Sequence, residues 1–501
     1  MKKTIILLFI LGICLSCNDQ LDILPEEAVV QDNISSKKEF YSILRNLRKN
    51  TERLFPFSIK ERTAIIPCAG LLSSTYSFYE VNSISLSNIL LDRVEKIEET
   101  EPEWKNLYKG EVLFYKAYIH FCNVLDMGDH ILVKDKPVVG DIAKTPWIEI
   151  LDYAISLAEE AALLLPPLSQ MTYDDVGSIQ NLYFNRLKAE KFIPSQGAAY
   201  ALLAHMYAWK AGCRYFVPEG LNSYDSKLYW EKAEKACNKI IESEEYELEA
   251  SPKGIIENTS KGMGKENIFV LPLNWINNNI YGRGKIYADL SWQNQRERFG
   301  NDNMPKWAPY CRNNRFTLNW IEQTYKPGDL RKEAYFGDTY ELAKQYPEYF
   351  NGYAGYSKHN ITQKNEYVGM IWRLAEIILL RAEARSRLED IKGAVEDINT
   401  VRKRAKAPLY DNSEYGGDLR LAVFREREKE LLHEGYRWTD IIRNGPDYIK
   451  NELGGDFKEL TVQDYIDGCF FSIFSEWFFQ NNTLMRQNTF WFKRLGRTIP
   501  H

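Results

Sequence analysis

The run "REREKELLHEGYRWTDIIR", from Arg425 to Arg443, brings Glu426, Glu428, Glu430, Arg437 and Asp440 close together along the chain. Such a set can be drawn as an acid/base site. It has a second use, because Glu and Arg crowded at a helix end build buried ion pairs that fix a scaffold, and that is the use expected here. A glycosidase needs two carboxylates across a cleft, which a chain with 69 acidic residues neither supports nor excludes. His433 and Glu434 open "HEGYR", which lacks the second histidine, four positions on, of a zincin helix. "GMGKE" and "GRGKI" have the glycines and lysine of a phosphate loop without the Ser or Thr after the lysine, and no GxSxG elbow occurs. No catalytic residue, metal ligand or cofactor is assigned, and the chain is expected not to be an enzyme.

A different chemistry belongs to the N-terminus. Lys2 and Lys3 precede an uncharged apolar run from Ile5 to Leu15, the layout of an export signal. The run is shorter than the ~20 apolar residues of a membrane span, and no later stretch reaches that length without charge. It ends in Cys14, Leu15, Ser16 and Cys17. A redox or zinc CxxC needs a folded context that a signal peptide does not supply. The small Ser16 before Cys17 instead resembles the lipobox of bacterial lipoproteins, whose cysteine receives a diacylglycerol and becomes the new N-terminus. Cys17 is therefore the expected lipid attachment point, residues 1–16 the signal peptide and residues 17–32 a polar tether. Cys68, Cys122, Cys213, Cys237, Cys311 and Cys469 stand singly and read as buried free thiols.

The composition, 45% hydrophobic and 27% charged over 501 residues, is that of a globular chain. A formal charge of −5 without a long basic run argues against a nucleic-acid partner. Helical periodicity dominates. Ile371, Leu374, Ala375, Ile378, Leu379 and Ala382 line one face, and Ile391, Ala394, Val395, Ile398, Val401 and Ala405 another, with "LEDIKG" as the turn. Ala199, Leu202, Leu203, Met206 and Tyr207 pair in the same way with Trp230, Ala233, Cys237, Ile240 and Ile241. "LYKGEVLFYKAYIHFCNVL" and "WIEILDYAISLAEEAALLLPP" supply two more helices, the latter stopped by Pro166 and Pro167. Alanine at the crossings is the tetratricopeptide (TPR) manner of packing helix pairs. The expected fold is mainly α: a TPR-like helical-hairpin scaffold with few short strands and a large irregular, loop-rich region for a ligand. That region is placed at about 246–365, where periodicity gives way to Gly, Asn, Pro and aromatic residues.

In order, "LDILPEE" after the lipobox, "SISLSNILLDRV", "GEVLFYKAYIHFCNVLDMGDHILV", "GAAYALLAHMYAW", "ENIFVLP", "GDLRKEAYF", "RLAEIILLRAEARSRLEDIKGAVEDINTVRKRAKAP", the Arg425–Arg443 run and "NNTLMRQNTFW" are similar to segments of the SusD/RagB family of outer-membrane nutrient-binding lipoproteins. "FFSIFSEWF" departs from that family's usual Pro-Ile-Pro stretch. The resemblance implies one domain over residues 33–501 in a surface-exposed outer-membrane lipoprotein. Such a protein forms a lid over a SusC-like, TonB-dependent barrel, captures oligosaccharides and hands them on for import. A peptide-binding or assembly role in the same complex is the alternative, and a glycoside hydrolase a more distant one.

A sugar receptor needs flat aromatic faces for the CH-rich side of a pyranose and directed hydrogen bonds for its hydroxyls. With 12 Trp, 31 Tyr and 24 Phe the chain has rings to spare. The appropriate set lies in the irregular region: Trp292 and Trp307 first, then Trp275, Tyr281 and Tyr287, with Asn278 and Arg296 for hydroxyl contacts. Tyr76 and Tyr79, before the Asn-centred helix, form a second candidate group.

Overall fold

The computed structural model of the protein describes residues 36–52, 74–98, 100–135, 140–171, 191–272, 315–347, 352–355, 368–432, 434–474 and 476–495. The scaffold opens with α1 (Lys37–Glu52), α2 (Ser74–Val94), α3 (Pro102–Met127), α4 (Trp147–Leu164), α5 (Gln196–Gly212) and α6 (Ser226–Ile241). Each packs chiefly on the next. The stack continues through α10 (Leu374–Arg387) against α6, with α11 (Ile391–Arg404) and α12 (Leu419–Glu430) on α10. This nearest-neighbour order is the helical-hairpin architecture expected from the sequence.

Residue size sets how close these helices come. Ala154, Ala158 and Ala161 of α4 and Ala201, Ala204 and Ala208 of α5 are fully buried, and the two helices pack on each other. Helices α3 and α5 are buried on nearly every side, so neither shows one apolar stripe. In contrast, α6 buries only Trp230, Ala233, Ala236, Cys237 and Ile240. Asp225 and Asp390 cap α6 and α11 by accepting from Lys227 N (2.9 Å) and Gly393 N (3.0 Å). Helix α3 stops at Gly128, whose φ of 69° favours glycine and where a Cβ would lie 2.3 Å from the Phe471 ring.

Two departures from the expected elements stand out. Ile371 lies in a strand, not on the helix face of Leu374 and its successors: β4 (Val368–Arg373) pairs antiparallel with β1 (Asn267–Pro272), and α10 begins only after the extended Arg373. The ribbon packs on α3 through rings, Phe269 with Phe114 at 5.0 Å and Trp372 with Tyr118 at 5.9 Å. Aromatic burial on that surface outweighs the helical spacing of the sequence. The stretch 246–365 is also less irregular than expected. It contains α7 (Pro252–Glu257), β2 (Arg315–Thr317), α8 (Leu318–Thr324), the sixteen-residue α9 (Leu330–Gln345) and β3 (Tyr353–Gly355), which pairs with β2. Phe316, Tyr325, Tyr335 and Phe336 give these elements a small core of their own.

The C-terminal part holds α13 (Arg437–Asn444), α14 (Pro446–Leu453), α15 (Val462–Ile466), α16 (Glu476–Asn481) and α17 (Thr489–Leu495). It closes over the α3–α4 connection. Ser472 N donates to Asp126 O (2.7 Å), Asn482 Nδ2 to Ile142 O (2.7 Å) and Asn488 Nδ2 to Ser472 O (3.1 Å). The final "QN" is thus a backbone-satisfying latch. Cys122, Cys213, Cys237 and Cys469 are buried; Cys68 and Cys311 lie outside the described residues.

His120 of α3 is fully buried, and neither ring nitrogen has a hydrogen-bond partner among the described residues. It meets the Tyr153 ring edge-on at 5.6 Å. Burial first, then the charges of Lys116 and His130, push its pKa down to about 3. An unfolded histidine binds its proton near pH 6.5, so between those values the unfolded chain carries more protons and stability falls as pH falls. His120→Phe should flatten this decline between pH 6.5 and 5, above the carboxylate range. Urea midpoints of both proteins measured across that interval check it; identical slopes would refute it.

Candidate functional site

The carboxylates of the Arg425–Arg443 run are all consumed by guanidinium groups. Glu426, on the inner face of α12, places Oε1 2.7 Å from Arg331 Nη1 and Oε2 2.8 Å from Arg402 Nε. One turn on, Glu430 takes Arg373 Nη1 at 2.9 Å, Arg331 Nη1 at 3.3 Å and Arg404 Nη2. Glu428, on the other side, binds Arg437 Nε and Arg425 Nη1, both at 2.6 Å. Asp440 of α13 binds Arg427 Nε at 2.8 Å and Arg443 Nη2 at 2.6 Å. Glu434 holds Arg373 with both oxygens at 2.8 Å; His433 lies outside the described residues.

Electrostatics work against Glu426 as a proton donor. Burial alone would raise the pKa of Glu426, but Arg331, Lys429 and Arg402 outweigh it and bring the value down to about 2. Glu376, also buried, is brought to about 2 by His205 and Arg427. A general acid needs the opposite shift. The lone pairs a general base would use are already occupied, so the run is a structural network, as its composition suggested.

One crevice opens nearby, between α3, α5, β4 and the start of α13, with a volume of about 60 Å³. Tyr118, Phe121, Trp209, Trp372 and Tyr436 form its walls around His205. The His205 ring lies between Trp372 (5.8 Å) and Tyr436 (6.0 Å), and its Nε2 is 3.0 Å from Glu376 Oε2. A space of that size is large enough for ordered water beside the His205–Glu376 pair. Sequence reasoning missed this arrangement, because His205 and Glu376 are far apart in the chain and nothing local joins them.

Among the described residues no group of three or more His, Cys, Asp or Glu side chains could hold a metal ion. Lys265 of "GMGKE" is paired with Glu247 at 2.6 Å, and Glu266 with Arg373 at 2.9 Å, so that motif is a turn tied into the network. The expected ligand residues Trp275, Asn278, Tyr281, Tyr287, Trp292, Arg296 and Trp307 lie outside the described residues, as do Cys17 and the "GRGKI" motif. Tyr76 and Tyr79 fall in the first turns of α2, where only the backbone is described.

The network's role can be measured. Glu430→Gln leaves Arg373 and Arg404 short of a buried counter-charge and should cost about 3–5 kcal/mol. Glu396→Gln, in an exposed pair with Lys392 at 3.9 Å, should change stability by less than about 0.5 kcal/mol. Denaturant unfolding of the two variants separates them; equal small effects would show that the buried pairs are dispensable.

Residues 256–491 match the sequence pattern of the SusD family. A SusD-like protein of Formosa agariphila is 34% identical over 120 residues, a segment covering 22% of this chain and only 23% of that relative. The crystal structure of a SusD homologue from Bacteroides thetaiotaomicron is similar at a TM-score of 0.65 and 19% identity, covering 91% of this chain and 98% of the other. That of a SusD-like carbohydrate-binding protein from Bacteroides vulgatus is similar at 0.54 and 17%, covering 81% and 83%. The structural likenesses establish the fold. The pattern over 256–491 takes in the α10–α11 hairpin, the Arg425–Arg443 run and the closing latch, and this part of the chain carries the SusD family's sequence pattern.

Proposed function

We propose that this protein is a lipid-anchored, surface-exposed outer-membrane receptor that captures oligosaccharides and delivers them to a SusC-like, TonB-dependent barrel. The observation that carries this reading is the family match over residues 256–491, which includes the aromatic segment between β1 and β2. A SusD-like relative is itself described as carbohydrate-binding. A further support is chemical. The acids that might have suggested hydrolysis are committed to arginines, whereas Trp275, Tyr281, Tyr287, Trp292 and Trp307 are available in kind to stack on pyranose faces. Asn278 and Arg296 suit hydroxyl recognition, and Tyr76 and Tyr79 form the second contact group. Residues 33–501 act as one domain, carried on the tether 17–32 from a lipid on Cys17. No helix among the described residues is long and apolar enough to cross a membrane.

Binding is tested on an oligosaccharide panel by calorimetry. Trp292→Ala and Trp307→Ala should each weaken the best ligand by about tenfold, the equivalent of ~1.4 kcal/mol for a lost stacking ring. A protein inert to a broad panel that still copurifies with a barrel would replace the receptor reading with the adaptor one.

Anchoring is tested by labelling cells with a radioactive fatty acid. Label should appear in the wild-type chain and be absent from Cys17→Ser; label that survives the substitution would remove the anchor from Cys17.

A further inference from the structure

The charged groups on the walls of the His205 crevice are matched. Glu434 holds Arg373 with both oxygens at 2.8 Å, and Arg443 is tied to Glu383 at 2.9 and 2.6 Å and to Asp440 at 2.6 Å. Two wall hydroxyls are engaged as well: Thr439 Oγ1 donates to Tyr436 O at 2.8 Å, and the Tyr436 hydroxyl donates to Ile371 O.

Two ring nitrogens in the same crevice keep spare capacity. Trp209 of α5 lines it with only 3% of its surface exposed, and its buried Nε1–H has no acceptor among the described residues. One turn earlier, His205 makes its hydrogen bond through Nε2, 3.0 Å from Glu376 Oε2. Burial alone would raise the Glu376 pKa, but His205 and Arg427 bring it to about 2, so the carboxylate accepts and Nε2 carries the proton. In the neutral ring Nδ1 then presents a lone pair.

An occupant therefore has three conditions to meet. It is uncharged, it offers an acceptor to Trp209 Nε1 and a donor to His205 Nδ1 on different atoms, and it sets apolar carbon against the rings of Phe121, Trp372 and Tyr436. A water has one oxygen and no carbon. A methyl-bearing secondary amide has a carbonyl oxygen, an N–H and a methyl in one plane that can lie flat on a ring. The crevice, at about 60 Å³, is several times the ~15 Å³ that a single water needs.

We propose that this crevice seats the acetamido group of an N-acetylated sugar: Trp209 Nε1 donates to its carbonyl oxygen, His205 Nδ1 accepts from its N–H, and its methyl lies among the aromatic rings. The pyranose stays at the mouth. The proposal rests on the saccharide-receptor reading and narrows it to a class of sugar. Its residues come from α3, α5, β4 and α13, none from the 246–365 region, so the contact is separate from Trp292 and Trp307.

Saturation-transfer NMR of the full-length protein, titrated with N-acetylglucosamine and in parallel with glucose, which lacks the amide, tests it. The expected result is saturable binding that favours N-acetylglucosamine, with the acetamido methyl protons the most strongly saturated. Trp209→Phe keeps a ring and gives up no hydrogen bond to the protein, so it should fold as the wild type does and weaken N-acetylglucosamine by about tenfold. No preference over glucose, or a preference that survives Trp209→Phe, overturns the proposal. N-acetylalaninamide bound as tightly as the sugar overturns the saccharide assignment in favour of a peptide. Binding weakened by Trp292→Ala and untouched by Trp209→Phe overturns the crevice alone and leaves the receptor reading standing.

Discussion

The carboxylate of Glu430 is the point on which the described structure turns. It meets Arg373 at the junction of β4 and α10, Arg404 at the end of α11 and Arg331 at the start of α9, while its own helix, α12, carries it inward. Removing an ion from water costs several kcal/mol even after relaxation, and an incomplete set leaves that cost uncompensated. The four elements must therefore arrive in one mutual arrangement or not at all. Glu426 repeats the constraint with Arg331 and Arg402, and Glu266, at the entry to β1, adds Arg373 and Arg404. A long chain of helices, each contacting mainly its neighbours, is thereby closed at one end by charge.

Elsewhere the scaffold is held by size and by backbone satisfaction. Alanines let α4 and α5 approach closely, and Gly212 at the end of α5 leaves no room for a Cβ, which would come within 2.5 Å of the Arg443 carbonyl. That contact carries the charge network into the helical stack, because Arg443 is pinned by Glu383 and Asp440. The far end relies on neutral bonds. Trp491 Nε1 donates to Phe471 O at 2.7 Å, and the Phe471 ring covers Gly128, where α3 stops.

What was legible in the sequence follows the same division. Hairpins such as α5–α6 and α10–α11 were visible because their periodicity is local. The acidic face of α12 was legible as structure rather than catalysis because Glu and Arg stood together on one helix end. The partners were not legible: Arg331 and Glu426 are 95 residues apart, and Arg373 and Glu266 are 107 apart. Ile371 was misread because Val368–Arg373 combines helical spacing with burial against rings that come from α3, a tertiary effect that no window of the sequence contains. Helix α9 was missed for a related reason, since the Gly, Asn and aromatic texture around it masks two helical pieces joined across a kink at Gly337 (φ 35°) and anchored by the Asp329 cap and Arg331.

This arrangement also explains how a family scaffold can carry different recognition chemistry. The stretch 273–314 departs from β1 and rejoins at β2. The first of these strands is fixed by aromatic packing on α3 and by Glu266 on Arg373, the second by its pairing with β3 and the Phe316 cluster. With both departure points fixed by buried contacts, lengthening or replacing what lies between them adds only the slowly growing cost of closing a loop. Substitutions in the network break a many-partner charge cluster. The physical cost of a change in length is therefore low between β1 and β2, where both ends are held by contacts that the change leaves in place.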